Sequence, residues 1–83
     1  MTASATFETV RSCLRSVLQL TEEESRAISE TTTPLDLPRW TSLAHVQLVL
    51  ELERSFDVTF DAEEIAGLAS VPAILQALDH RSR

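Results

Sequence analysis

Apolar residues recur along this chain at intervals of three and four, not two. Phe7, Val10, Leu14, Val17 and Leu18 trace one face of a helix predicted over about Ala5 to Leu20, because helical side chains share a face at those spacings. Thr6 or Ser4 is placed to cap its start. Glu8 near the start, with Arg11 and Arg15 further on, suits the helix dipole. Thr21 followed by Glu22-Glu23-Glu24 has the form of a capping box and opens a short extra turn reaching Ile28.

From there to Thr41 the pattern breaks. Thr31-Thr32-Thr33 is β-branched, and Pro34 and Pro38 interrupt any continuous helix. A long loop inside a small domain needs a purpose. Leu35, Leu37 and Trp40 are expected to pin this one to the core. A second helix follows, predicted from Ser42 to about Phe56, with Asp57 at its exit. Projection at 100° per residue separates its apolar positions into two arcs. Leu48, Val49, Leu52 and Phe56 form the arc expected to face the core. Leu43, Val46 and Leu50 form another, with Glu53 at its side, while Gln47, Glu51 and Arg54 lie on the polar side. A small core has no need of both, so the second arc is expected to be an exposed apolar stripe edged with charge, as partner surfaces are.

Val58-Thr59-Phe60 reads as short and extended. Asp61 is placed to cap a brief helix ending at Gly67. Ser70 caps a last helix that tolerates Pro72 in its first turn and carries Val71, Ile74, Leu75 and Leu78 on its apolar face. The tail from Asp79 to Arg83 is expected to fray. The prediction is an all-α fold, a four-helix bundle with three main helices, one short helix and a long first loop, as a single domain over 1–83.

Composition narrows the chemistry. The chain has 83 residues, one Gly and 5% aromatics, which suits a helical bundle and argues against a many-turned β fold. At this size folding removes only about 60–65% of the unfolded chain's surface from water, too little for an elaborate internal active site. The net charge of −6 disfavours nucleic acid, whose phosphates need a basic patch, and favours basic protein partners. One Cys rules out an internal disulfide and fits a reducing compartment. Cys13 falls at helical spacing from Val10 and Val17 and reads as a small buried side chain. Met1 to Thr6 contains neither a basic region nor a long apolar run, so no signal peptide and no membrane span is predicted and the cytoplasm is the expected location.

Few residues are arranged for chemistry. The two His are far apart in sequence, the lone Cys is near neither, and the acidic clusters lack a calcium-loop pattern, so no metal site is predicted. The Glu runs at 22–24 and 63–64 read as solvated faces. Ser42 stands out because it opens the best helix in the chain. It is also three residues from His45, which makes a nucleophile–base pair geometrically conceivable. A hydrolase would further need oxyanion donors, and no Gly-rich turn supplies them. The plainer reading of Ser42 is a helix-capping serine.

The neighbours change that weighting. The run from Thr41-Ser42-Leu43-Ala44-His45-Val46-Gln47-Leu48 to Phe56 resembles the second helix of acyl carrier proteins, in which an Asp-Ser-Leu triplet is followed by Val, Leu-Val, Leu-Glu and Phe at these spacings. The resemblance continues through Asp57-Val58-Thr59-Phe60 and Glu63-Glu64-Ile65 to Ser70-Val71 and Ile74-Leu75. It is closer to the discrete carriers of polyketide and peptide pathways, where Trp often precedes the triplet, than to the housekeeping fatty-acid carrier. Helix one and Leu35-Asp36-Leu37 match more loosely.

The resemblance implies that Ser42 receives 4′-phosphopantetheine from coenzyme A through a separate phosphopantetheinyl transferase. The arm would hold acyl or aminoacyl groups as thioesters and present them to ligase, acyltransferase and synthase partners. The carrier itself is then no enzyme and is expected to be a monomer. Leu43, Val46 and Leu50, with Glu51 and Glu53, would form the docking face. Phe60, Ile65 and Leu68 would line an acyl pocket, and His45 would touch the arm. One departure stands at the triplet: Thr41 replaces the family's Asp, keeping a capping oxygen but losing the charge that the transferase is expected to read. Ala44 and Gln47 likewise replace acidic residues common early in this helix. Either a dedicated transferase tolerates the neutral triplet, or the domain is an unmodified interaction module that docks an enzyme through this helix.

Overall fold

The first apolar stripe does become the scaffold of the molecule. In a computed structural model that describes residues 4–81, with side chains from 5 to 79, the chain forms five helices. These are α1 (Ser4–Leu18), α2 (Glu22–Arg26), α3 (Ser42–Phe56), α4 (Ala62–Gly67) and α5 (Val71–Arg81). The fold is all-helical among the described residues. Helix α1 is the central element, in contact with α2, α3 and α5. Its buried residues Val10, Cys13, Leu14 and Leu18 share one core with Leu48, Val49 and Leu52 of α3 and Val71, Ile74 and Leu78 of α5. The radius of gyration is 11.7 Å, close to the roughly 12 Å that a folded chain of this length should have.

Local chemistry sets the boundaries. Helix α1 stops at Leu18, two residues earlier than predicted, because Gln19 takes a left-handed conformation (φ 54°). That reversal lets the Leu20 N–H reach back to the Arg15 carbonyl at 3.0 Å, a six-to-one closure that satisfies an end carbonyl. Arg39 adds a second tie, donating to the Gln19 carbonyl at 2.8 Å. Helix α3 ends the same way. Asp57 is left-handed (φ 55°) and the Val58 N–H bonds the Glu53 carbonyl at 3.1 Å.

The Thr21 capping box forms in both directions. The Glu24 N–H donates to Thr21 Oγ1 at 3.1 Å and the Thr21 N–H to Glu24 Oε1 at 2.9 Å. It nucleates a separate helix that ends at Arg26, short of Ile28, so the described chain has two short helices where one was predicted. Asp61 and Glu64 form a second box at the start of α4. Ser70 Oγ accepts the Ala73 N–H at 3.2 Å, which starts α5 before Pro72 can matter. Helix α5 runs on to Arg81, past the expected fraying point at Asp79; Ser82 and Arg83, like Met1 to Ala3, lie outside the described residues.

The loop over 27–41 has no helix and is held by turns and anchors. Trp40 and Ile28 are buried, Leu37 packs against the core, and the Val71 N–H bonds the Thr32 carbonyl at 2.9 Å. Leu35 corrects the expectation, being 95% exposed. Pro34-Leu35-Asp36 forms a turn in which Asp36 accepts the Thr33 N–H at 3.0 Å, and this geometry directs Leu35 outward. None of the described helices is long and apolar enough to cross a membrane.

Candidate functional site

The first turn of α3 separates two tasks that the sequence left merged at Ser42. Thr41 is the N-cap, in extended conformation, and its Oγ1 accepts the Ala44 N–H at 3.2 Å. Capping is therefore done before the helix reaches Ser42. Ser42 occupies the first helical position, is exposed, and its hydroxyl makes no hydrogen bond with any described residue. The plain capping reading of Ser42 is answered: the cap is its neighbour.

Beside that hydroxyl lies an open cleft of about 350 Å³ lined by Pro34, Trp40, Thr41, Ser42, His45, Ile65, Ala66 and Ala69. The 27–41 loop, the start of α3 and the end of α4 supply its walls. Ile65, expected in an acyl pocket, lines this cleft. Phe60 and Leu68, expected beside it, are instead core residues and do not line the cleft. The segments around them turn their large apolar side chains inward, and the cleft keeps the small Ala66 and Ala69. No simple spacing rule separates these groups, because the residues belong to a six-residue helix and its two flanks.

His45 is half-buried in the wall and bonded on both sides. The Trp40 indole N–H donates to His45 Nδ1 at 3.2 Å, and His45 Nε2 lies 3.2 Å from the Ile65 carbonyl oxygen. An indole N–H only donates and a carbonyl only accepts. The ring is therefore the neutral Nε2–H tautomer, with its lone pair on Nδ1 given to Trp40. The two rings also stack, with centroids 6.2 Å apart and planes at 26°. Both nitrogens are engaged by Trp40 and Ile65 and neither is bonded to Ser42, so the conceivable nucleophile–base pair is not formed. Trp40 is the core anchor that the sequence pointed to; its bond to His45 was not legible because helical spacing says nothing about a loop residue's indole.

The predicted stripe on α3 is present. Leu43, Val46 and Leu50 are 71%, 53% and 61% exposed, while Leu48, Val49 and Leu52 on the opposite arc are buried. The two acidic residues assigned to its edge have structural partners. Glu51 pairs with Arg54 at 2.6 Å, and Glu53 accepts the Phe60 N–H at 2.8 Å, bracing the chain after α3. Both remain partly exposed, so their charge still borders the stripe.

Cys13 lies far from this in kind. It is buried under α3, 3.4 Å from Ser55 Oγ, and burial pushes its thiol above the ordinary range against the smaller opposing effect of that contact. Among the described residues no group of three or more His, Cys, Asp or Glu side chains is placed to hold a metal ion. No protein-family model matches the chain, and no curated protein matches it.

Proposed function

We propose that this chain is a discrete acyl carrier protein with a carrier-type helical bundle, acting in the cytoplasm, and that Ser42 is its attachment point for 4′-phosphopantetheine. The observation that carries this reading is the division of labour at the helix start: Thr41 caps, and Ser42 presents an exposed hydroxyl bonded to no described residue. The site also fits a phosphodiester. Ser42 sits at the N-terminus of a 15-residue helix whose first turn contains no acidic residue. An anion there is stabilised by about 0.3–1 kcal/mol by the helix dipole and the free backbone N–H groups. When attached, the arm supplies a terminal thiol that holds acyl or aminoacyl cargo as a thioester.

This chain's residues then present the cargo and do not transform it. The stripe of Leu43, Val46 and Leu50 begins one residue from the attachment point, so a partner gripping α3 is brought to the arm. The net charge of −6 steers basic surfaces toward it in a salt-dependent way. The apolar cleft beside Ser42 gives the base of the arm a wall to lie against, with His45 already committed to Trp40 and Ile65.

Thr41 supports a second reading, an unmodified interaction module docking an enzyme through α3, because the neutral first turn lacks the charge a transferase would read. Intact mass spectrometry after incubation with coenzyme A and a broad-specificity phosphopantetheinyl transferase separates the two. A gain of one phosphopantetheinyl group, lost in Ser42→Ala, is the expected result. No gain with several transferases would sink the carrier reading in favour of the module.

A further inference from the structure

We propose that His45 is a pH-sensitive latch that holds the cleft beside Ser42 at its present width while the ring is neutral and releases it on protonation. The device concerns the cleft itself and stands whether or not Ser42 carries a group. His45 bridges two cleft walls. Its Nδ1 takes the indole N–H of Trp40, at the end of the 27–41 loop, and its Nε2–H reaches the carbonyl of Ile65 in α4, each across 3.2 Å. Ile65, Trp40 and His45 all line the cleft with Ser42.

The chemistry is asymmetric. A proton arriving from solvent binds the Nδ1 lone pair, the same pair that accepts from Trp40. Two N–H groups then face each other, and that bond is replaced by repulsion. The Nε2–H bond to Ile65 survives and strengthens, since the donor is now charged. The ring stays with α4 while the indole, nearly buried and deprived of its partner, must shift. The Trp40 end of the loop wall therefore moves relative to His45, while the Thr32–Val71 bond keeps the rest of the loop tied to the chain after α4. Histidine is the side chain suited to this, because its ring accepts at one nitrogen when neutral and only donates once a second proton is bound.

The charged groups on the surrounding elements have other partners or positions. On the loop, Arg39 bonds the Gln19 carbonyl at 2.8 Å and Asp36 takes the Thr33 N–H at 3.0 Å. On α4 and its cap, Asp61 and Glu64 accept each other's backbone N–H at 2.8 and 3.0 Å, and Glu63 is exposed. On α3 the charges begin at Glu51, beyond the first two turns. None of these groups lines the cleft.

Nitrogen-15 NMR of the full chain between about pH 8 and pH 5 tests the latch. Trp40 is the chain's one tryptophan, so its indole resonance is unambiguous. The expected result is an Nε2–H tautomer at the high end and an indole shift that shares its midpoint with the His45 ring. The Ser42 and Ala66 amides should move in step. His45→Gln should flatten the indole response. Trp40→Phe, which keeps a ring but removes the donor, should leave the Ser42 amide still, while the Ala66 amide, in the peptide whose carbonyl His45 holds, continues to respond. The proposal is overturned by an indole that does not move as His45 takes its proton. It is equally overturned by an indole shift that tracks His80, or by a His45 that stays neutral until the chain unfolds in acid. If His45→Gln does not fold, the unmodified chain and Trp40→Phe decide the matter.

Discussion

Thr41 and Ala44 are joined by the bond that starts α3: the Ala44 N–H donates to Thr41 Oγ1 at 3.2 Å. Ser42 lies between them and takes no part. Thr41→Ala should therefore cost about 1 kcal/mol, lowering Tm by roughly 4–8 °C in a domain this small. Ser42→Ala should stay within about 0.5 kcal/mol of the parent. Thr41→Asp should keep the cap, add favourable charge at the helix start and, under the proposed carrier function, speed modification of Ser42 by the transferase. Thermal unfolding followed by circular dichroism checks the first two. If Ser42→Ala is the more damaging change, the assignment of the cap is wrong.

The two arcs of α3 should separate in the same way. Leu48 is fully buried and Leu50 is 61% exposed, though they are two residues apart and chemically identical. Leu48→Ala should cost about 2–5 kcal/mol through lost burial and the cavity left behind. Leu50→Ser should cost no more than about 0.5 kcal/mol yet weaken partner docking. Urea denaturation of the pair measures the contrast; equal losses would mean that the outer stripe is packed.

Gln19 holds a left-handed conformation without being glycine. That geometry costs an ordinary L residue about 1–2 kcal/mol, while Asp57 tolerates its matching turn better because Asp visits this region more readily. Gln19→Gly should accordingly raise stability by a few tenths to about 1 kcal/mol, and Asp57→Gly by less. Side-by-side urea midpoints decide it, and a loss of stability in Gln19→Gly would show that the turn is not strained.

Cys13 is buried and its thiol is pushed up by that burial, so its reactive thiolate is scarce in the folded chain. Alkylation at neutral pH should be slow for the native protein and fast in denaturant. In protein loaded on Ser42, rapid native labelling should therefore report the arm alone. Peptide mapping after brief iodoacetamide treatment is the measurement. Prompt native labelling of Cys13 would contradict the packing of α1 against α3.

Much of this architecture was legible because it rests on local rules. The span of α3, the Thr21 capping box, the Asp61 cap and the Ser70 start follow from residues within four positions of each other, where backbone geometry alone decides which groups meet. The division of α3 into a buried and an exposed arc was readable for the same reason. Where the sequence misled, the deciding contact was distant or the geometry unusual. Leu35 looked like an anchor by its hydrophobicity, but the Asp36 turn faces it to solvent.

What the sequence by itself determined is the three main helices, the short helix after Asp61, the caps that start them and the serine that opens α3. What only the tertiary structure decided is how the cleft beside that serine is built. Phe60 and Leu68 turn into the core, and Ile65 turns into the cleft. Trp40 and His45, five residues apart, meet each other, and His45 also meets Ile65 from 20 residues further on. Periodicity specifies which face of a helix is apolar, but the direction in which a loop returns depends on packing against elements far along the chain.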